Sequence, residues 1–248
     1  MTVQAISVRA DNPGVMTLDG TNTWILRAPG GRSIVVDPGP DDADHLAAVL
    51  AESGEVALVL YTHWHPDHTD AIDRFGELTG APARAADAAW CRSAEPLADG
   101  ELIDVDGLEV EVVLTPGHTA DSLCLLVAKE GLLLTGDTIL GRGTSIIAHP
   151  DGSLGAYLDS LARIRELVTE GIVTRLLPAH GPELADPAAV VDFYLEHRAE
   201  RLDQVRAALE AGAVTARDVV ECVYADVDES LWPAAERSVE AQLEYLRN

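Results

Sequence analysis

The sequence predicts an α/β domain over residues 1–194 joined to a helical region over residues 195–248. Three observations carry this prediction. Strand-like and helix-like segments alternate through the first two-thirds of the chain. A polar side chain able to bind a metal follows directly on four of the strand-like runs, and from about Pro187 the pattern is helical to the end. With 248 residues, 47% of them hydrophobic, the chain is long enough for one large α/β domain with a small appendage.

In chain order, Thr23-Trp24-Ile25-Leu26 and Ser33-Ile34-Val35-Val36 are apolar runs separated by Pro29-Gly30-Gly31, the pattern of a hairpin. Asp37-Pro38-Gly39-Pro40 ends the second strand. Residues 41–52 then have helical spacing, with Leu46, Val49 and Leu50 on one face and His45 on a face expected to be exposed. Val56 to Tyr61 is continuously apolar, as a strand buried on both faces should be. Further strands are expected at 109–114, 123–128, 132–134 and 174–177, with Lys129-Glu130-Gly131 as a turn and a long helix at 154–168. Helices are then expected at 187–211, 215–224 and 233–247, with Gly212 and Trp232-Pro233 marking the breaks.

Charge and cysteine content narrow the class. Against 17 Lys+Arg stand 42 Asp+Glu, a formal net charge of −25. Wrapping double-stranded DNA requires clustered cations that displace counterions from phosphate, and adhesion to an anionic membrane requires them too, so neither partner is expected. Cys91, Cys124 and Cys222 are odd in number and far apart, which implies no disulfide framework. Residues 1–13 lack a basic segment followed by an apolar run, and no stretch has the length of a membrane span, so a soluble cytoplasmic protein is expected.

The strand ends carry the chemistry. His63 follows the 56–61 run, His118 the 109–114 run, Asp137 the 132–134 run and His180 the 174–177 run, which suggests one shared rim. His63-Trp64-His65-Pro66-Asp67-His68 adds an H-x-H-x-D-H motif. Such a hexapeptide arises by chance in about one in a thousand chains of this composition. Catalytic zinc is held by His nitrogens and carboxylate oxygens with a position left open for water. Residues i and i+2 of an extended turn direct two imidazoles to one ion, and Asp67 and His68, entering a helix, reach a second ion beside it.

These residues, with Thr115-Pro116-Gly117-His118-Thr119, Thr135-Gly136-Asp137-Thr138 and Pro178-Ala179-His180-Gly181, resemble the metallo-β-lactamase superfamily. The resemblance implies a four-layer αβ/βα sandwich with a two-metal site on one edge. It further implies that His63, His65 and His118 bind the first metal, that Asp67, His68 and His180 bind the second, and that Asp137 bridges them. The cofactor expected is a pair of divalent ions, Zn2+ first, with Mn2+ or Fe2+ accepted by the same donors. Two dications lower the pKa of a shared water toward neutrality, so a bridging hydroxide is the expected nucleophile and Asp67 the residue that orients it.

Departures separate the branches. Antibiotic-hydrolysing members often carry Cys where this chain has Asp137, flavodiiron proteins carry Glu where it has His65, and Thr119-Ala120-Asp121-Ser122 lacks the further His usual in the glyoxalase II type. Only residues 138–179 separate Asp137 from His180, which leaves no room for an inserted β-CASP domain. The stretch 135–160, with Gly141-Arg142-Gly143-Thr144 and Tyr157, is similar to the beta-lactamase-like protein 2 group, as is Glu196-His197-Arg198. That resemblance implies a winged-helix-like C-terminal region opened by Thr215-Ala216-Arg217-Asp218, and animal members of the group are single-strand-selective endoribonucleases.

Other residues keep two readings. Asp37 either holds a ligand imidazole or merely terminates a strand. Arg142 either holds an anionic group near Asp137 or lies on the surface, and His149 either presents an imidazole at the cleft mouth or sits in a turn. Trp64 is a stacking platform or a packing wedge, and His197 is left open. Val205, Leu209 and the Val239, Leu243, Leu246 row form apolar stripes that pack onto the sandwich or join a homodimer. The function expected is hydrolysis of an ester-type bond in a small-molecule or short-oligonucleotide substrate, with single-strand endoribonuclease and glyoxalase II-type thioesterase as alternatives. Long RNA ranks lower because the chain has one lysine, 4% aromatics and an acidic tail, and a non-catalytic interaction module is disfavoured because all seven ligand positions are filled.

Overall fold

The computed structural model describes residues 3–225 and 228–247. Its strands and helices follow in the order β1 (Gln4–Arg9), β2 (Asn22–Arg27), β3 (Ser33–Val36), α1 (Ala43–Ser53), β4 (Val56–Leu60), α2 (Pro66–Thr69), α3 (Ile72–Thr79), β5 (Ala83–Arg84), β6 (Leu102–Val105), β7 (Leu108–Leu114), β8 (Leu123–Val127), β9 (Leu132–Gly136), α4 (Leu154–Thr169), β10 (Arg175–Pro178), α5 (Pro187–Glu210), α6 (Ala216–Val223) and α7 (Trp232–Arg247). One sheet has the order β1-β2-β3-β4-β5 and the other β10-β9-β8-β7-β6. Both are mixed: β3, β4 and β5 run parallel, as do β9 and β10, and the remaining pairs are antiparallel.

Strand alternation builds four layers. In β2, Trp24 and Leu26 face the other sheet while Ile25 packs with Leu46, Val49 and Phe75 of α1 and α3. In β8, Leu123, Leu125 and Val127 enter the inter-sheet core, whereas Cys124 and Leu126 pack with Tyr157, Leu161 and Tyr194 of α4 and α5. Both strands are therefore apolar on both faces, which is why they read as unbroken hydrophobic runs rather than alternating ones. The layers are helix, sheet, sheet, helix.

The expected hairpin, the helices after it and the later strands lie where the sequence places them, within a residue or two. The turn at 129–131 is a short 3-10 segment closed by Gly131. The strands β1, β5 and β6 were not expected. His45 is a correction: it is buried, not exposed, with Nε2 2.9 Å from Thr23 Oγ1, because the first turn of α1 packs down on the loop after β3.

The tail is tied to the sandwich by α5, which runs unbroken through residue 195. Its first part packs Val191, Tyr194 and Leu202 against α4, and its last part packs Val205 and Ala208 against Val219, Val220, Val239 and Leu243 of α6 and α7. The apolar stripes of the tail thus cover one another. Thr215 caps α6 in a reciprocal capping box with Asp218, and Pro233 sits in the first turn of α7, where a missing N–H breaks no helical bond. No helix among the described residues is long and apolar enough to cross a membrane.

Candidate metal centre

Four strand ends deliver His63, His118, Asp137 and His180 to one rim, and α2 adds the rest. Pro66 starts that short helix with His65 as its N-cap, so Asp67 and His68 turn back toward the rim. Gly136 lets the two sheets close on each other: it has φ 49°, and a Cβ there would lie 2.7 Å from Thr62 Oγ1 beside His63.

The donor atoms fall into two sets. His63 Nε2, His65 Nδ1 and His118 Nε2 converge, with His65 Nδ1 2.9 Å from His63 Nε2 and 3.0 Å from His118 Nε2. Asp137 Oδ2 lies 4.0 Å from His63 Nε2 and 3.7 Å from His118 Nε2. In the second set, Asp67 Oδ2 is 3.3 Å from His68 Nε2 and 3.2 Å from His180 Nε2. Asp137 Oδ1 is 3.7 Å and 3.3 Å from the same two nitrogens. One carboxylate therefore addresses both sets, a different oxygen to each.

The surrounding hydrogen bonds aim lone pairs into the site. His118 Nδ1–H donates to the Ile146 carbonyl at 2.7 Å, and His180 Nδ1–H donates to the Gly20 carbonyl at 3.3 Å. His68 Nδ1–H donates to Asp37 Oδ2 at 2.9 Å. The Thr62 hydroxyl donates to that same Asp37 oxygen at 2.7 Å, so at 3.1 Å it accepts from His63 Nδ1–H. Each of these partners accepts, so the neutral form of each ring carries its proton on Nδ1 and directs the Nε2 lone pair inward. Asp37, with φ 51° and buried, is thereby a holder of His68.

Two features fit bound cations. His68 Nε2 and Asp137 Oδ1 are buried with no hydrogen-bond partner, which is costly unless something else satisfies them. In addition, His65 Nδ1 carries at most one proton, so at most one of its two close nitrogen contacts is a hydrogen bond. The electrostatics divide in the same way. Burial and the neighbouring imidazoles hold His63 well below the usual histidine range, and burial with His118 pushes His65 down to about 4. Burial also opposes charge at His180, but Asp137 and Asp67 outweigh it and push the ring up to about 9. At Asp67 and Asp137 burial again opposes charge, yet His68 and His180 outweigh it and hold both far below the carboxylate range. The carboxylates of the second set thus favour positive charge at the place where a dication fits.

Other expected site residues are placed elsewhere. Arg142 borders the pocket above the donors, yet its guanidinium is engaged by Asp19 at 2.8 and 2.9 Å. His149 does not reach the cleft mouth: it turns to α7, 3.9 Å from a Glu240 oxygen and 3.7 Å from one of Glu244, because the loop after Gly143 folds back onto that helix. Trp64 donates from Nε1 to Asp151 at 2.9 Å and pins that loop. His197 meets Thr144 Oγ1 at 3.2 Å.

Sequence reasoning missed a supporting ring. Buried Thr21 donates to Asp67 Oδ2 at 3.0 Å, and Asn12 Nδ2 donates to the Thr21 hydroxyl at 3.0 Å. Arg198 grips the Ser145 carbonyl next to Ile146, the residue that holds His118. Tyr157 donates to the Thr138 carbonyl at 2.6 Å, beside Asp137. Thr, Asn and Tyr at these positions carry no local signature of such a role, although Tyr157 and Arg198 belong to the stretches that resemble the family. Above the donors is a pocket of about 120 Å³ whose walls include Val15, Met16, Leu18, Leu140 and Ile146.

Residues 16–174 match the family model described as the metallo-beta-lactamase superfamily, and residues 215–248 match the beta-lactamase associated winged helix domain. The chain is 33% identical over 269 residues to a "Beta-lactamase-like protein 2 homolog" of Drosophila melanogaster, covering 99% of this chain and 88% of the relative. It is 32% identical over 247 residues to an "Atrochrysone carboxyl ACP thioesterase" of Aspergillus chevalieri, covering 93% of this chain and 76% of the relative. Among solved structures, a metallo-β-lactamase family protein from Thermus thermophilus superposes with a TM-score of 0.80 at 23% identity, over 98% of this chain and 93% of that one.

Proposed function

Because the chain belongs to the metallo-β-lactamase superfamily, we propose that it is a dinuclear metal-dependent hydrolase of an ester-type bond in a small molecule or short oligonucleotide, with acyl thioesters the leading class. The observation that carries this reading is Asp137, whose two oxygens face two separate sets of donors. His63, His65 and His118 would hold one ion and Asp67, His68 and His180 the other, with Zn2+ favoured and Mn2+ or Fe2+ compatible. Such a pair supplies Lewis acidity and an acidified water at neutral pH.

The chain's own groups do the rest. Asp37, Ile146 and Gly20 fix the ring orientations, and Thr21 and Asn12 hold Asp67 in place. Asp67 is the carboxylate that orients the attacking water by accepting a hydrogen bond from it, since its side chain is 26% exposed against 11% for Asp137. The apolar pocket walls seat the acyl portion and exclude bulk water. The thioester reading is further supported by the 32% identity to a protein named as a thioesterase.

The test is a substrate panel of thioesters, lactones, bis(p-nitrophenyl) phosphate and labelled single-stranded RNA, offered to protein loaded with Zn2+, Mn2+ or Fe2+. Hydrolysis of a thioester or lactone that disappears in Asp67→Ala is expected. RNA cleavage lost in Asp67→Ala, with the esters untouched, would replace this reading with the endoribonuclease one. A protein that retains no metal and binds none on titration would end the hydrolase reading altogether.

A further inference from the structure

The pocket above the donors does not stop at the sandwich. It adjoins a second cavity of about 240 Å³, and the two share Val15, Met16, Thr144, Ser145 and Ile146 as a common wall. Val15 and Met16 are 70% and 55% exposed, so the shared wall presents bare apolar surface. The far side is formed by Arg198 and Arg201 of α5 with Tyr224, Leu231 and Ala235 of the tail.

The charge of this second cavity is the reverse of the molecule's. The chain carries −25 overall, yet among the described residues no Asp or Glu lines the cavity, while two arginines and His197 do. Arg198 and Arg201 lie three residues apart on one face of α5. Arg198 is only 7% exposed; it donates to the Ser145 carbonyl and sits 5.0 Å over the Tyr157 ring, but its Nε is buried without a partner. Arg201 lies 4.9 Å over the Tyr224 ring and donates to Gln204 at 2.9 Å. Among the described residues no carboxylate forms a salt bridge with either, whereas Arg84, Arg142 and Arg163 are each paired with one. A buried guanidinium without a counter-charge is costly, and an oxyanion in the cavity removes that cost.

The geometry points to a bipartite substrate: an ester-type bond at the metal pocket, joined by an apolar segment along Val15, Met16 and Ile146 to a distal oxyanion, a carboxylate or phosphate, held by Arg198 and Arg201. This rests on the hydrolase reading and names the substrate class for the same site. Arg198 also supports the loop that holds His118, so Arg201 is the position that isolates the anion contact.

The experiment compares thioesters of one acyl length that end in a carboxylate, a phosphate or a neutral amide, using the metal-loaded full chain. The anionic substrates are expected to exceed the neutral one in kcat/KM by about tenfold or more, the loss typical of one charge-assisted contact. That ratio should collapse toward one in Arg201→Gln and persist in Arg201→Lys. The carboxylate and phosphate arms identify which oxyanion is preferred. Equal kcat/KM for anionic and neutral substrates, or a ratio unchanged in Arg201→Gln, overturns the inference and leaves the hydrolase reading standing. Calorimetric titration with hexanoate, hexyl phosphate and hexanol is independent of turnover. Tighter binding of an anion than of hexanol, weakened in Arg201→Gln, supports the subsite even if every ester is refused, and equal binding of all three overturns it.

Discussion

Asp37 shows how much one side chain outside the donor set controls. Its Oδ2 accepts from both the Thr62 hydroxyl and His68 Nδ1–H, and its Oδ1 accepts from the Thr62 backbone at 2.8 Å. In Asp37→Asn one oxygen becomes an NH2 group, so a donor confronts a donor at His68 or Thr62. The ring of His68 is then driven to the tautomer that points a proton at the metal pocket. Asn tolerates the φ of 51° found here, so the backbone is spared. Metal affinity at the second set should fall about 10- to 100-fold, measured by competition with a chelator. Affinity equal to the wild type would remove Asp37 from the machinery. At this scale the seven candidate donors were legible because His63 to His68 are neighbours in sequence and the others sit directly after apolar runs. Thr21, Asn12 and the bond from Arg198 were not, since hydroxyl, amide and guanidinium groups acquire a role only from what lies opposite them.

At the scale of elements, the loop before His118 is the most constrained junction. Gly117 has φ 141°, and a Cβ added there would lie 2.4 Å from Tyr157 Cα at the start of α4. The obstacle is backbone, so relief requires the loop or the helix to move. Gly117→Ala should destabilise the protein by about 1–3 kcal/mol and weaken metal binding, because His118 is the next residue. Denaturant midpoints together with metal content after dialysis test both; an unaltered midpoint would show that the junction yields freely. The long helices and central strands were legible from period and cap, as Thr215 with Asp218 illustrates, whereas α3 was not expected. The short strands β1, β5 and β6 carry too little pattern to be seen alone. The burial of His45 depends on which loop α1 packs against, and no period reports that.

For the whole molecule, the net charge of −25 acts at long range while the cations act locally. An anionic substrate must approach through a repulsive field before it meets the donors or Arg201. Raising ionic strength from about 10 mM to about 150 mM shortens the screening length from about 30 Å to about 8 Å. KM for an anionic ester should therefore fall as salt rises, while that for a neutral ester stays level. A KM that climbs with salt would show that the local cations dominate the approach. By itself the sequence determined the layered α/β class, the helical tail and the set of candidate metal donors, because strand burial, helix period and adjacency in a loop are written in local order. Only the tertiary structure decided that Thr21 and Asn12 brace Asp67, that His149 faces α7, and that Arg198 and Arg201 border a cavity lined by no described acid. Those facts depend on which distant segments meet, and a contact between segments leaves no mark on either one until the chain has folded.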